Sequence, residues 1–265
     1  MRSFPPERIV CLTEETVETL YLLGESDRIV GVTGYAVRPP QVRKEKPRIA
    51  AFTSADIPKI LALEPDLVLT FSDLQAEIAA ELIRHGVTVM AYNQRDVAGI
   101  LAMIRHLGAM VGRSHRAARL ASHYERRIDF LANRSANRTP IPTYIEEWDE
   151  PMISGIHWFS ELVGIAGGRD VFSDRARAQG ARDRFVTSEE VIAARPEMIL
   201  ASWCGKKVRP EKIEARPGWE AIPAVRSNQI VEIKSPLILQ PGPAALTDGL
   251  DAIVSALARF ERVMG

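Results

Sequence analysis

Cysteine is scarce in this chain of 265 residues, with only Cys11 and Cys204. They lie far apart and in no Cys-x-x-Cys pair, so neither a disulfide nor a zinc or iron–sulfur site can be inferred from them. Cys11 falls inside an apolar run and is expected to be a buried thiol. Aromatic residues are few, at 6%. No apolar run reaches the roughly 18 residues that a membrane span needs. The start, MRSFPPERIVCL, has neither the apolar core nor the small-residue cleavage site of a signal peptide. An excess of either charge is missing too, because 34 Lys+Arg balance 34 Asp+Glu. A general nucleic-acid binder needs a cationic stripe, so that class is set aside. The basic groups at Arg43, Lys44, Lys46 and Arg48, and at Arg175, Arg177, Arg182 and Arg184, read as solvated loops. No GxSxG, HExxH, GxGxxG or GxxxxGK[ST] occurs, so serine-hydrolase, metalloprotease, dinucleotide and ATP chemistry have no sequence support.

What is present is the patterning of a soluble α/β chain, 46% hydrophobic and 26% charged. Arg8–Leu12 reads as a buried strand, and Thr13 is placed to cap the helix after it. Ile29–Val32, Leu67–Phe71, Val87–Met90, Thr143–Ile145, Met198–Ala201 and Ile230–Ile233 read as further strands. Helical segments alternate with them, which implies parallel strands joined by crossover helices. Thr247 is placed to cap a final helix whose Leu250, Val254 and Leu257 share one face. Between Ser114 and Asn133 the apolar positions Ala117, Ala121, Tyr124, Ile128 and Leu131 form one helical stripe, ended by Thr139-Pro140-Ile141-Pro142.

A weak internal repeat joins the halves. ILALEPDLVLTF, from Ile60, resembles VIAARPEMILAS, from Val191. Both read as a helix end, a proline and a buried strand. The expectation is two related lobes facing each other across a cleft.

Open α/β sheets bind ligands beyond the carboxyl ends of their strands. Those positions hold Thr13-Glu14-Glu15, then Tyr35 and Arg38, then Phe71-Ser72-Asp73. Later in the chain they hold Glu146–Glu150 with Ser154–Phe159, Ser202–Lys207, and Lys234–Ile238. Three of the four tryptophans, Trp148, Trp158 and Trp203, fall there, and an indole suits stacking on a large planar ligand. The carboxylates at Glu146, Glu147, Asp149 and Glu150, with His157, leave open an acid/base enzyme, although no nucleophile–base spacing supports one. Transition-metal sites usually add histidine, and His85, His106, His115 and His123 lie on helices, so no protein-made metal site is expected.

RIVCLTEETVETLYLLGESDRIVGVTGY, ILALEPDLVLTF, the long helix and SGIHWFSELVGIAGG together resemble the cobalamin and iron-siderophore class of substrate-binding proteins, which serve ABC importers. Tyr35 with Pro39 and Pro40, and the segment ending Ala166-Gly167-Gly168, look most like the cobalamin-binding branch. The resemblance implies two α/β lobes with mostly parallel sheets, joined by one long connecting helix, the type III substrate-binding fold. The expected division is a lobe over 1–113, a connecting helix over 114–137 and a lobe over 138–265. The implied activity is non-catalytic holding of a corrinoid between the lobes, with no intrinsic cofactor and any cobalt carried by the ligand. The candidate contacts are Tyr35, Arg38, Phe52, Phe71, Glu147, Trp148, His157, Trp158, Trp203, Cys204, Leu237 and Ile238. Arg38 stands where the resembled proteins have an aromatic. Glu77 and Glu220 take the places of the acidic residues that dock a permease. A ferric siderophore, met by Arg38, Lys206 and Lys207, or haem, ligated by Tyr35 or His157, are the alternatives. The expected state is a monomer without membrane insertion. It is periplasmic by resemblance, or a cytoplasmic corrinoid carrier or sensor if Met1 is the native start.

Overall fold

A computed structural model describes residues 4–264 as two compact units. One unit runs to Gln94 and takes in Ala98–His123; the other takes Arg95–Val97 and the chain from Tyr124 onward.

The first unit is built on a parallel sheet in the order β3-β2-β1-β4-β5. Its strands are β1 (Ile9–Cys11), β2 (Ile29–Thr33), β3 (Arg48–Ala50), β4 (Leu67–Phe71) and β5 (Val89–Tyr92). Ile9 sits opposite Ile29 on one side and Leu67 on the other, so β1 is the central strand, and all three of its residues are buried. That burial on both faces is why β1 reads as a continuous apolar run rather than an alternating one. Val10, Leu12, Ile49, Ile60, Val68, Leu82 and Val87 form one core cluster. From β1 the chain goes to β2 on one side, and it later returns to place β4 on the other. The carboxyl ends of β1 and β4 therefore flank the point where the winding reverses.

The second unit has the order β10-β9-β6, and the outer edge of β6 is shared by β7 and β8. Its strands are β6 (Ile141–Asp149), β7 (Met152–Ser154), β8 (Gly168–Asp170), β9 (Met198–Ala201) and β10 (Ile230–Glu232). β8 pairs parallel with Ile141–Thr143, while β7 folds back antiparallel on Glu146–Asp149. The sequence shows β6 only as Thr143–Ile145, and shows nothing for β3, β7 and β8. Each of those three has three residues, too few for a periodic signal. β6, β9 and β10 stand in the same order as β1, β4 and β5, which matches the internal repeat.

The Ser114–Ser135 helix has 22 residues, about 33 Å at 1.5 Å per residue. The unit boundary falls inside it, between His123 and Tyr124. Ala117 and Ala121 are fully buried in the first unit, where a side chain on Gly108 would lie only 2.1 Å from the Ala117 Cβ. In the second unit, Arg127 pairs with Asp251 and Arg138 with Glu261, both on the terminal Leu250–Met264 helix.

Two expected caps form differently. Thr13 precedes the Glu14–Leu23 helix, but its hydroxyl donates to the Glu15 carboxylate rather than accepting from the backbone. Thr247 lies inside a π-turn, Ala245–Gly249, and its hydroxyl bonds back to the Pro243 carbonyl at 2.8 Å.

Candidate functional site

The carboxyl end of the first sheet is tied together by a residue the sequence did not single out. Gln75, 1% exposed, accepts from the Phe71 N–H at 3.0 Å and donates to the Leu12 carbonyl at 3.2 Å and the Phe52 carbonyl at 2.8 Å. One amide thereby fixes the ends of β1 and β4 and the loop after β3. It also sets the backbone of Phe52 and Phe71, the two candidate phenylalanine contacts. Phe52 is half-buried, whereas Phe71 is buried at 7% exposure, so Phe71 does not offer an open ring face. Tyr35 is 50% exposed. Arg38 donates through Nε to Glu18 at 3.0 Å, so its charge is balanced within the unit.

Beyond β1, the first turn of the Glu14–Leu23 helix carries two carboxyl groups, Glu15 buried and Glu14 half-buried. Burial pushes Glu14 up to about 7 and Glu15 up to about 8, with the neighbouring Glu14 charge adding to the rise at Glu15. The Thr13 hydroxyl, 2.6 Å from Glu15 Oε1, favours the ionised form, but burial outweighs it. Burial likewise pushes the Cys11 thiol up to about 12, which makes it a poor nucleophile.

At the carboxyl end of the second sheet, the acidic run along β6 is spent on internal ion pairs. Glu146, fully buried, accepts from Trp203 Nε1 at 3.0 Å and from both terminal nitrogens of Arg216, which stacks over Trp219. Glu147 is bound in the same two-pronged way by Arg184, a buried residue that also donates to the Ser154 carbonyl. Asp149 holds the Lys206 ammonium at 2.5 Å. A general acid, a base or a metal needs a carboxylate with a lone pair facing the reaction. Glu146, Glu147 and Asp149 each face a cation of their own chain instead. Among the described residues, no group of three His, Cys, Asp or Glu side chains could hold a metal.

Two of the three tryptophans expected at the strand ends are interior side chains. Trp158 is 2% exposed and donates to the Ile238 carbonyl at 2.7 Å; Trp203 is 1% exposed and belongs to the second core. Both plug their own unit, and Ile238 is fully buried beside Trp158. Neither indole offers an open face for stacking. Trp148 is the tryptophan that reaches the surface, its Nε1 donating to the Glu150 carbonyl at 2.9 Å. His157 lies in the first turn of a helix, His157–Ala166, rather than on a strand end. Its ring is 3.6 Å from Glu161, which also accepts from the Val97 N–H. Leu237 is half-buried and Cys204 exposed. Glu77 and Glu220 are both exposed, the first in the opening turn of the Ala76–Arg84 helix. Tyr35, Phe52 and Trp148 are thus the aromatic candidates with accessible surface. Nothing in the local sequence around Gln75 or Arg216 marks either as part of these ends, because most of the groups they hold, Leu12, Phe52 and Glu146, come from distant segments.

Residues 9–237 match the family described as periplasmic binding protein. The vitamin B12-binding protein of Vibrio cholerae is 26% identical over 263 residues, covering 97% of this chain and 91% of the relative. That of Yersinia pestis is 25% identical over 199 residues, covering 74% and 69%. Among solved structures, the periplasmic vitamin B12 binding protein BtuF of Vibrio cholerae superposes with a TM-score of 0.78 at 25% identity, covering 98% of this chain and 99% of that one. The periplasmic heme-binding protein RhuT of Roseiflexus sp. RS-1 gives 0.80 at 24% identity, covering 94% and 98%, a likeness of fold.

Proposed function

Because this chain belongs to the periplasmic binding protein family, we propose that it is a non-catalytic solute-binding protein for a corrinoid, cobalamin or a close relative, serving an ABC importer. The observation that carries this reading is full-length similarity, over 97% of the chain, to proteins named for vitamin B12 binding. The chemistry of the two sheet ends supports it. Glu146, Glu147, Asp149 and Arg38 are neutralised inside the protein, which leaves aromatic and half-buried surface at Tyr35, Phe52 and Trp148. Such surface suits the macrocycle of a bulky ligand, with its polar arms left to the few polar groups around it. Glu77 and Glu220, exposed on separate units, are the proposed permease contacts.

Calorimetric titration with cyanocobalamin and with cobinamide tests the reading. Binding is expected, and absence of heat at about tens of micromolar protein would refute it. Haem is the second reading, favoured by the exposed Tyr35 phenol, which suits an axial ligand. A Soret band formed with hemin and lost in Tyr35→Phe would move the assignment there.

A further inference from the structure

Three of the four tryptophans, Trp158, Trp203 and Trp219, are at most 2% exposed. The fourth, Trp148, is half-buried at the end of β6, and a lysine ammonium already sits over one face of its ring. Lys206 Nζ lies 3.9 Å from the centre of the Trp148 ring and 5.0 Å from that of Trp203, while it pairs with Asp149. The lysine side chain remains 40% exposed, at a turn opened by Gly205 with φ +70. An ammonium over an indole at a partly solvated position is held weakly. The lysine stem has four rotatable bonds, so its head can leave the ring without backbone movement. Asp149, beside the ring, can keep the ammonium as a partner after it moves.

We propose that Lys206 is a displaceable plug on Trp148, and that a neutral, bulky ligand and the Lys206 ammonium compete for the same ring face. The competition rests on the reading of this chain as a binder of a corrinoid; the plug does not. The plug keeps that face of the one surface indole covered when no ligand is bound, and it selects against cationic ligands, which would meet the displaced ammonium.

Lys206→Ala, made in the full chain, tests both parts. Acrylamide quenching of tryptophan fluorescence should rise in the variant without ligand, and the rise should vanish in the Lys206→Ala/Trp148→Phe double variant. Cyanocobalamin should bind Lys206→Ala roughly two- to five-fold more tightly than the parent protein. Unchanged quenching overturns the proposal whatever the titration gives. Raised quenching with equal or weaker cyanocobalamin binding overturns the competition, since the lysine is then a bystander or a direct ligand contact. Raised quenching with no binding of cyanocobalamin or cobinamide by either protein upholds the plug and refutes the corrinoid assignment instead.

Discussion

Glu64 and Arg195, 131 residues apart, adopt the same left-handed backbone, with φ of +48 and +47. Each is exposed, each follows a short helix, and each precedes a buried proline that leads into a buried strand. The helix ends because the proline ring disfavours right-handed helical geometry at the residue before it. The backbone hydrogen bonds match as well. The N–H two residues on, at Asp66 and at Glu197, reaches the start of the neighbouring strand in each unit, at Arg8 and at Pro142. The repeat suggested by two twelve-residue strings is therefore a repeat of backbone conformation, and β4 and β9 occupy the same place in their sheets.

A non-glycine residue in this conformation costs about 1–2 kcal/mol. Glu64→Gly and Arg195→Gly should each stabilise the protein by up to about 1 kcal/mol, part of the strain being offset by the added freedom of glycine in the unfolded chain. The two positions lie in separate units, so the double variant should show nearly the sum. Urea midpoints at constant slope would check this, and a loss of stability at either site would contradict the strain.

Gln75→Leu should destabilise the first unit by about 2–4 kcal/mol, because it strands the Phe71 N–H and the Leu12 and Phe52 carbonyls. Gln75→Glu keeps the acceptor but loses both donated bonds, so it should also destabilise. If Phe52 contacts ligand, both variants should weaken binding in titrations run where they remain folded.

Glu146→Ala leaves the mostly buried Arg216 without its carboxylate and Trp203 without its acceptor. Removing one member of a buried pair costs about 3–5 kcal/mol. Thermal unfolding should show a large loss for Glu146→Ala and a smaller one for Glu146→Gln, which keeps an oxygen for Trp203. Near-equal melting temperatures for parent and Ala variant would mean that the pair is not needed for stability.

The pH dependence has a definite sign. Glu15 and Glu14 hold their protons more tightly folded, at about 8 and about 7, than at the ordinary glutamate value of 4.5. Burial raises Asp170 in the second unit to about 6, above its ordinary 3.8. Their contribution is fully present below the ordinary values and is lost as pH rises through the folded ones. Stability should therefore fall between about pH 4 and pH 8, by up to about 1.4 kcal/mol per pH unit above about pH 7, where Glu15 alone still titrates. Glu15→Gln should flatten that slope and be relatively more stable at pH 8 than at pH 5. Denaturation series across that range would check it.

Much of this architecture was written locally. Arg8–Leu12 and Leu67–Phe71 announced β1 and β4, the stripe from Ala117 to Leu131 announced the long helix, and the two proline-containing strings announced the related halves. Each is a pattern within a dozen or two residues, where hydrophobic period and proline geometry act on the chain directly. The fate of the tryptophans was not readable in that way. Trp158 is closed off by a carbonyl 80 residues away and Trp203 by a carboxylate 57 residues away, and it took a lysine from the turn after β9 to cover Trp148. Side-chain exposure at a strand end depends on which remote segments fold over it, and only the assembled tertiary structure brings those segments together.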